Sequence, residues 1–354
     1  MDRVRGALAQ RSKRITIHEV AEDAGVSKTS VSRYLGEERK LLSETLQIRI
    51  EASIARLGFR PDRIASSLRG RRTRLIGMVV ADITNPYTVM MMHGVETACR
   101  RLGYTLVVCN TDRDAELERN HLEVLRAYSV EGLVINTLGQ ERETLHQLVE
   151  EGLPIVLVDR RVEGLDVLTV GLDNRQAIRL GLDHLVECGF KEVLYITEPL
   201  AGISSRRERV EAFETQIRAR SGQLTGALLT LDGDHQDQAL ISRLDRMLHE
   251  ATAPAAVFCA NAPVTLRVCQ ALDRLGALKD VGLIAIDEQD WSALVAGGIT
   301  TLAQPTDAIG EAAMTALVHG GHDGDGELSH RVFPATLKPR GSTTARAKPM
   351  HSNA

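Results

Sequence analysis

The chain has 354 residues, of which 43% are hydrophobic, 25% are charged and 3% are aromatic. This length predicts more than one domain, and the composition is ordinary for a globular protein. No apolar run predicts a membrane span, and the basic start, MDRVRGALAQRSKR, lacks the apolar core of a secretory signal. The five cysteines are scattered without a CxxC pair, which favours reduced thiols in a cytoplasmic protein over disulfides or a metal site.

The net charge of −4 hides an uneven distribution along the chain. Residues 1–74 hold 17 Lys and Arg against 9 Asp and Glu, a net charge of +8, whereas the remaining residues carry a net charge of −12. A basic segment on an acidic body indicates that the first segment alone meets a polyanion, such as a nucleic acid.

The segment HEVAEDAGVSKTSVSRYL predicts two short helices joined at a glycine. Apolar residues at helical spacing form one stripe along the first helix: Ile17, Val20, Ala21 and Ala24. Gly25 stands where a left-handed residue would end that helix, and Ser27 can cap the next one. Val31 and Leu35 face the first helix. Polar residues of the second helix then point outward: Lys28, Thr29, Ser32 and Arg33.

A third helix is predicted over SETLQIRIEASIARLG, capped by Ser43 and closed by Gly58. Its inward face is predicted to consist of Ile48, Ala52 and Ala55. Together the three helices predict an all-α helix-turn-helix domain over residues 15–60. The alternative is a plain helical hairpin that packs on the next domain. The positive charge, the turn glycine and the outward polar row together favour DNA binding.

Residues 15–70 resemble the DNA-binding head of the LacI/GalR family of bacterial repressors, because TIHEVAEDAGVSKTSVSRYL is similar to that family's helix-turn-helix signature almost position for position. The resemblance implies that Lys28, Thr29 and Arg33 touch base edges of double-stranded operator DNA, with Ser32 beside them. Arg and Lys can donate to guanine O6 and N7, and Thr can contact a thymine methyl group. Gly36 stands where the family usually has Asn, so the side chain for an expected backbone contact is missing.

The segment PDRIASSLRGRR lies within a predicted linker, residues 61–74. The family resemblance implies that this linker becomes a helix on DNA and that Leu68, with Ala65 three residues before it, enters the minor groove. A leucine inserted at a base step unstacks the bases and kinks the duplex. The alternative is a polar interdomain linker with one apolar residue.

From Leu75 onward, short apolar strands alternate with segments of helical length. The predicted strands are LIGMVVADI, TLVVCNT, GLVINT, PIVLVD, LTVGLD, EVLYIT, ALLTLD, AVFCAN, GLIAID and TTLAQP. This alternation predicts an α/β body with two doubly wound parallel sheets. Ligands in such folds bind at the carboxyl ends of the strands. Polar residues stand at those ends, and each one taken singly is as well explained by a helix cap as by a ligand contact.

Residues 75–340 resemble the two-lobed, periplasmic-binding-protein-like effector and dimerisation domain of the same family. The resemblance implies lobe crossovers near 171–174, 299–304 and 328–334. It also implies a set of effector-binding residues: Asn85, Tyr87, Asp159, Arg160, Asp173, Arg209, Asn261, Asp287 and Gln304. Residues 341–354 are polar and are predicted to be disordered.

The predicted effector is a small hydroxylated anion such as a sugar acid. Arg160 and Arg209 can bind a carboxylate through their guanidinium forks, whereas Arg161, Arg206 and Arg207 fit a solvated surface. Ala262 replaces the acid of the family's usual Asn-Asp pair, which leaves room for an anion. The sequence explains Trp291 equally well as an aromatic surface against a sugar ring and as a residue that packs within the lobes. Among its relatives, the chain resembles repressors that respond to 2-ketogluconate.

Two other classes of function fit the sequence less well. The chain has no GxGxxG, GxxxxGK[ST], GxSxG or HExxH motif and its histidines form no ligand-like cluster, so neither an enzyme nor a cofactor is predicted. A periplasmic carrier would have a signal peptide and no DNA-type head. The sequence therefore predicts a homodimeric repressor. It is predicted to bind a palindromic operator and to be released by the sugar acid as an inducer; the alternatives are a neutral sugar, sugar-phosphate or purine effector, a corepressor-type response, and a tetramer in place of the dimer.

Overall fold

A computed structural model describes residues 15–59, 72–136, 141–231, 237–320 and 330–344. The chain divides into two compact units, Met1–Thr73 and Arg74–Ala354, here called the head and the body. Within the described ranges, no helix is long and apolar enough to cross a membrane. The predicted linker contacts Ala65 and Leu68 lie outside the described residues.

The head contains three α-helices among its described residues: α1 Ile17–Ala24, α2 Lys28–Tyr34 and α3 Glu44–Leu57. Gly25 ends α1 in the left-handed region at φ 60°. The Ser27 hydroxyl caps α2 by accepting from the Ser30 amide at 3.1 Å. These features confirm the predicted turn. A 3-10 turn at Glu37–Leu41 was not predicted.

The prediction that Ile48, Ala52 and Ala55 face inward is wrong, because all three are exposed, Ile48 by 62%. The helix packs through its other face, where Ile50 and Ser53 are fully buried. Polar bonds fix this orientation. The Ser53 hydroxyl contacts the Val20 carbonyl at 3.2 Å and Asp23 Oδ2 at 2.6 Å. The helix therefore carries two apolar stripes, and hydrogen bonds to α1 decide which one is buried.

The body contains twelve strands and eight longer helices among its described residues. The strands are β1 Leu75–Val80, β2 Thr105–Asn110, β3 Leu133–Asn136, β4 Ile155–Val158, β5 Thr169–Leu172, β6 Glu192–Thr197, β7 Thr225–Thr230, β8 Ala255–Cys259, β9 Gly282–Ile286, β10 Thr300–Ala303, β11 His330–Phe333 and β12 Thr336–Lys338. The helices are α4 Pro86–Leu102, α5 Ala115–Ala127, α6 Arg142–Glu150, α7 Asn174–Glu187, α8 Ser204–Ala219, α9 Asp237–Glu250, α10 Ala262–Arg274 and α11 Thr306–His319.

These strands form two six-stranded sheets, one in each lobe. The first has the order β11-β5-β4-β3-β1-β2 and is parallel throughout. The second has the order β12-β10-β9-β8-β6-β7, in which only β12 is antiparallel. All ten predicted strands are present. Apolar clusters cover both faces of each sheet, which explains why the inner strands read as continuous apolar runs.

The chain crosses between the lobes three times. It leaves the first sheet after Leu172, returns after Ala303 and leaves again after Phe333. The first two crossovers agree with the prediction, and the third lies at the end of the predicted range. The ends of β4, β5, β9 and β10 therefore lie near the places where the lobes meet.

The prediction that disorder begins at residue 341 is wrong for residues 341–344. Gly341–Thr343 form a 3-10 turn, and the side chains of Ser342 and Thr343 are buried. The Ser342 hydroxyl donates to the Leu283 carbonyl at 2.5 Å and accepts from the Thr300 amide at 2.9 Å. A polar sequence looked unstructured because its partners lie far away along the chain.

Candidate functional site

The second helix of the head presents the predicted DNA-reading residues on its surface. Lys28, Thr29 and Arg33 are exposed, and Ser32 is half-buried. Val31, on the opposite side of α2, is fully buried in the head core. Arg33 Nε lies 3.2 Å from Glu38 Oε2. Because this ion pair is solvent-exposed, it holds the arginine only weakly and leaves it available to another acceptor.

In the body, two aspartates end strands from different lobes in the same strained conformation. Asp159 follows β4 in the first lobe with φ 67°, and Asp287 follows β9 in the second lobe with φ 80°. Residues other than glycine rarely adopt a positive φ, and such strain concentrates at functional sites. The charges of both carboxylates act on one buried arginine, Arg209.

Arg209 lies on α8 and its side chain is only 6% exposed. Its Nε donates to Asn174 Oδ1 at 2.7 Å and its Nη1 donates to the Ala260 carbonyl at 2.8 Å. Its Nη2 lies 3.8 Å from Asp159 Oδ1. Burial alone would lower the pKa of Arg209, but the negative charges of Asp159 and Asp287 keep it above its usual value. The arginine therefore stays charged and joins the two lobes.

Asp287 is held by bonds from two elements of the second lobe. Its Oδ2 accepts from the Ala262 amide at 3.0 Å, and its Oδ1 accepts from Gln304 Nε2 at 2.6 Å. Burial raises the pKa of the Asp287 carboxyl, whereas the charge of Arg209 and these two hydrogen bonds act in the opposite direction. The carboxylate is oriented by its neighbours before any ligand arrives.

Two buried polar atoms in this cleft find no hydrogen-bond partner among the described residues: the Tyr87 hydroxyl and Gln304 Oε1. Burial first, and then the charges of Asp159 and Asp287, raise the pKa of Tyr87 well above its usual value, so the phenol remains a neutral donor. A buried polar atom without a partner costs free energy, so a ligand with hydroxyl groups can recover that loss.

Three of the predicted effector residues act as helix caps. The side-chain oxygens of Asn85, Asp173 and Asn261 accept from backbone amides at the starts of α4, α7 and α10, at 3.0, 2.9 and 3.0 Å. Asn261 also donates through Nδ2 to Glu198 Oε2 at 2.6 Å. The cap interpretation therefore holds for all three residues, their contact with an effector stays a prediction, and Asn261 also faces a charged partner.

Trp291 lies in a 3-10 turn, Asp290–Ala293, and packs against the apolar core of the second lobe. Arg160 is buried to a greater extent than a surface residue, with its side chain 14% exposed and Nε 3.6 Å from Asp159 Oδ2. The interpretation of Arg206 as a solvated residue is wrong. Its side chain is 15% exposed and is paired with Glu198, because α8 begins against the end of β6.

Bonds across the cleft connect the loop after β4 with the start of α8. The Arg161 amide donates to Ser204 Oγ at 2.8 Å, and the Ser205 hydroxyl donates to Asp159 Oδ2 at 3.1 Å. Arg161 also pairs with Glu208. Sequence reasoning did not find these serines or Glu208. The only signal was their position just before Arg209, which becomes meaningful once the lobes face each other.

Known proteins match the chain over almost its whole length. Residues 16–62 match the family described as bacterial regulatory proteins, lacI family, and residues 182–343 match the periplasmic binding protein-like domain. The HTH-type transcriptional regulator PtxS of Pseudomonas aeruginosa is 50% identical over 346 residues, covering 96% of this chain and 99% of that protein.

The chain belongs to the LacI family. Another member, the HTH-type transcriptional regulator KdgR of Bacillus subtilis, is 35% identical over 84% of this chain and 89% of its own. The structure of the Lac repressor dimer bound to operator and the anti-inducer ONPF matches with a TM-score of 0.79 at 23% identity, covering 94% of this chain and 100% of that chain.

Membership in the LacI family makes the protein a transcriptional repressor with a DNA-binding head and an effector-binding body. Its named relatives are regulators, and the family does not consist of enzymes. The Lac repressor in that structure is a dimer that holds operator DNA and a small molecule. The cleft around Arg209 is therefore the candidate effector site.

Proposed function

We propose that this LacI-family repressor binds a palindromic operator as a dimer in the cytoplasm and is released by a sugar-acid inducer, with 2-ketogluconate as the first candidate. The observation that carries the proposal is the cleft itself. Arg209 is buried 3.8 Å from Asp159 and within the electrostatic influence of Asp287, one aspartate from each lobe, and the Tyr87 hydroxyl has no partner among the described residues. Such a site matches a compact ligand with several hydroxyl groups.

The head supports the DNA side of the proposal through exposure and charge. Lys28, Thr29 and Arg33 point outward from one helix, and the segment that contains them carries the chain's excess of positive charge. Lys28 and Arg33 match the acceptors of guanine in the major groove, and Thr29 matches a thymine methyl group. Ala65 and Leu68 remain proposed minor-groove contacts.

A dimer is supported by exposed apolar side chains along one edge of the first lobe. Strand β2 ends that sheet, and the two helices connected to it carry large exposed residues: Val89 and Met90 on α4, and Leu117 and Val124 on α5, with Tyr128 directly after α5. In the second lobe, the edge strand β7 exposes Leu228. Exposed apolar side chains beside an edge strand favour association, and a second copy of the chain would cover them here.

The alternative function differs in the ligand or in its effect. A neutral sugar, a sugar phosphate or a purine would make different use of the same cleft, and a corepressor would tighten DNA binding. The balance of two aspartates around Arg209 favours hydroxyl recognition, which neutral sugars also offer. The arginines nearby favour an anion.

The experiment is an operator titration combined with a ligand screen. Thermal unfolding in the presence of 2-ketogluconate, gluconate, neutral sugars, sugar phosphates and purines identifies the ligand, because a bound ligand raises the unfolding temperature with occupancy. Fluorescence anisotropy with a labelled operator then measures DNA affinity with and without it. Stabilisation by purines or neutral sugars alone would reject the sugar acid, and tighter DNA binding would reject induction.

A further inference from the structure

We propose that the carboxylate of the effector is bound by Arg113, Arg160 and Arg206 at the mouth of the cleft, while Arg209 contacts the neutral hydroxylated part. This inference rests on the proposed sugar-acid effector. It assigns the anion to two arginines that neither the sequence nor the family comparison singled out, and it gives Arg209 a different partner.

Arg209 is poorly suited to a ligand carboxylate. Its Nε and one Nη1 hydrogen are already used by Asn174 and the Ala260 carbonyl, and its charge faces Asp159 and Asp287. A third carboxylate placed there would lie close to two others in a buried space, where like charges repel strongly. A ligand hydroxyl meets no such repulsion and can both donate to Asp159 and accept from Arg209.

The three arginines at the mouth come from both lobes. Arg113 follows β2 and Arg160 follows β4 in the first lobe, whereas Arg206 lies in the first turn of α8 in the second lobe. Arg206 donates to the Pro199 carbonyl at 2.9 Å and pairs with Glu198. Arg113 Nη2 lies 3.0 Å from Asp82 Oδ2. An anion held between them would therefore draw the lobes together.

One carboxylate oxygen brings Arg160 beside the start of α8, because Asp159 Oδ2 lies 3.6 Å from Arg160 Nε and accepts from the hydroxyl of Ser205, the residue before Arg206, at 3.1 Å. Burial lowers the pKa of Arg206, and the positive charges of Arg160 and Arg113 act in the same direction, whereas Glu198 and Asp159 oppose them. Each of these arginines has one acidic partner, Asp82, Asp159 or Glu198, so three guanidinium groups meet three carboxylates here, whereas Arg209 alone meets the charges of two. A ligand carboxylate placed between them would gain from three positive charges and could form paired hydrogen bonds with a guanidinium fork.

Glu198 connects this site with the rest of the cleft. It accepts from Asn261 Nδ2 at 2.6 Å while it pairs with Arg206. When a ligand carboxylate replaces part of the contact between Arg206 and Glu198, Glu198 keeps its hydrogen bond from Asn261. No buried charge is then left without a partner. Asn261, which was predicted to contact the effector, is then a positioning residue that acts through Glu198.

The test compares 2-ketogluconate with D-fructose, which has a hydroxymethyl group in place of the carboxylate. Isothermal titration calorimetry on the full-length protein measures both dissociation constants for wild type, Arg206→Gln, Arg113→Gln and Arg207→Gln. Arg207 is the matched control, because it neighbours Arg206 on the same helix and its side chain is exposed. Melting curves check that each variant is folded, and exposed Arg113 provides a second variant if Arg206→Gln is unstable.

We expect Arg206→Gln and Arg113→Gln to weaken 2-ketogluconate binding by at least about tenfold, since each removes a charge-assisted hydrogen bond, and Arg207→Gln to leave it within about twofold. The preference for 2-ketogluconate over fructose, measured as the ratio of their association constants, should shrink in Arg206→Gln and Arg113→Gln but not in Arg207→Gln. If both bind 2-ketogluconate as the Arg207→Gln control does, the anion site is wrong. If wild type binds fructose but no sugar acid, the proposed effector class itself fails.

Discussion

Arg33→Ala is the most direct perturbation of the proposed DNA-reading helix. Arg33 is 50% exposed and its only described ion pair is with Glu38, which is also exposed. Such a pair contributes about 0–1 kcal/mol, so the variant should keep its free energy of unfolding within about 0.5 kcal/mol of wild type. Loss of a bidentate contact to a guanine costs about 1–3 kcal/mol, or roughly 5- to 150-fold in the dissociation constant.

Anisotropy titrations on operator, on operators substituted at single base pairs and on random DNA measure the effect. The prediction is a loss on operator that exceeds the loss on random DNA, together with relaxed preference at one base pair per half-site. Arg56→Ala is the control, since it removes an arginine from α3 whose side chain is 60% exposed; because Arg56 pairs with Asp23 of α1, melting curves verify that this variant is folded. Equal weakening on operator and random DNA would mean that Arg33 contacts only phosphate, and the reasoning would be refuted.

Three further predictions concern the linker, the head core and the body. Leu68→Ala should reduce operator bending and affinity but leave effector binding unchanged. An unchanged bend angle would show that Leu68 does not insert at a base step. Ile50→Ala should destabilise the head by about 2–5 kcal/mol and Ile48→Ala by less than about 0.5 kcal/mol, measured by hydrogen exchange of head amides; the reverse order would overturn the packing of α3. Burial lowers the pKa of His184 from 6.5, so the folded state binds fewer protons than the unfolded state and stability falls as pH drops below about 6.5. The melting temperature of His184→Gln should then fall less than that of wild type between pH 7 and pH 5. An equal fall would exclude this histidine as a cause of the pH dependence.

The strands were predictable because each one is a compact apolar run bounded by polar residues. Val134 and Val257 lie in such runs, and both are fully buried. The strands β11 and β12 were not predicted, because HRVF and TLK are short and largely exposed. They exist through pairing with β5 and β10, which are distant in sequence.

The position of the cleft was predictable from the sequence, but the contacts between its residues were not. Parallel strands bring Asp159 and Asp287 to the expected edge of each sheet, yet nothing local distinguishes them from Asn85 or Asp173, which cap helices. That difference depends on backbone conformation and on partners in the other lobe. Arg206 resembled a surface residue for the same reason, since its position in the sequence does not reveal its partner Glu198.

The central claim is that a ligand bound around Arg209 lowers operator affinity, and one titration tests it most directly. Operator binding is measured by anisotropy with and without saturating 2-ketogluconate, for wild type and for Arg209→Ala, with melting curves to verify folding. A coupling of about 1–3 kcal/mol predicts that the ligand weakens wild-type binding roughly 5- to 150-fold. The same ligand concentration should leave Arg209→Ala unchanged. Tighter operator binding by wild type, or an undiminished response in Arg209→Ala, would contradict the account.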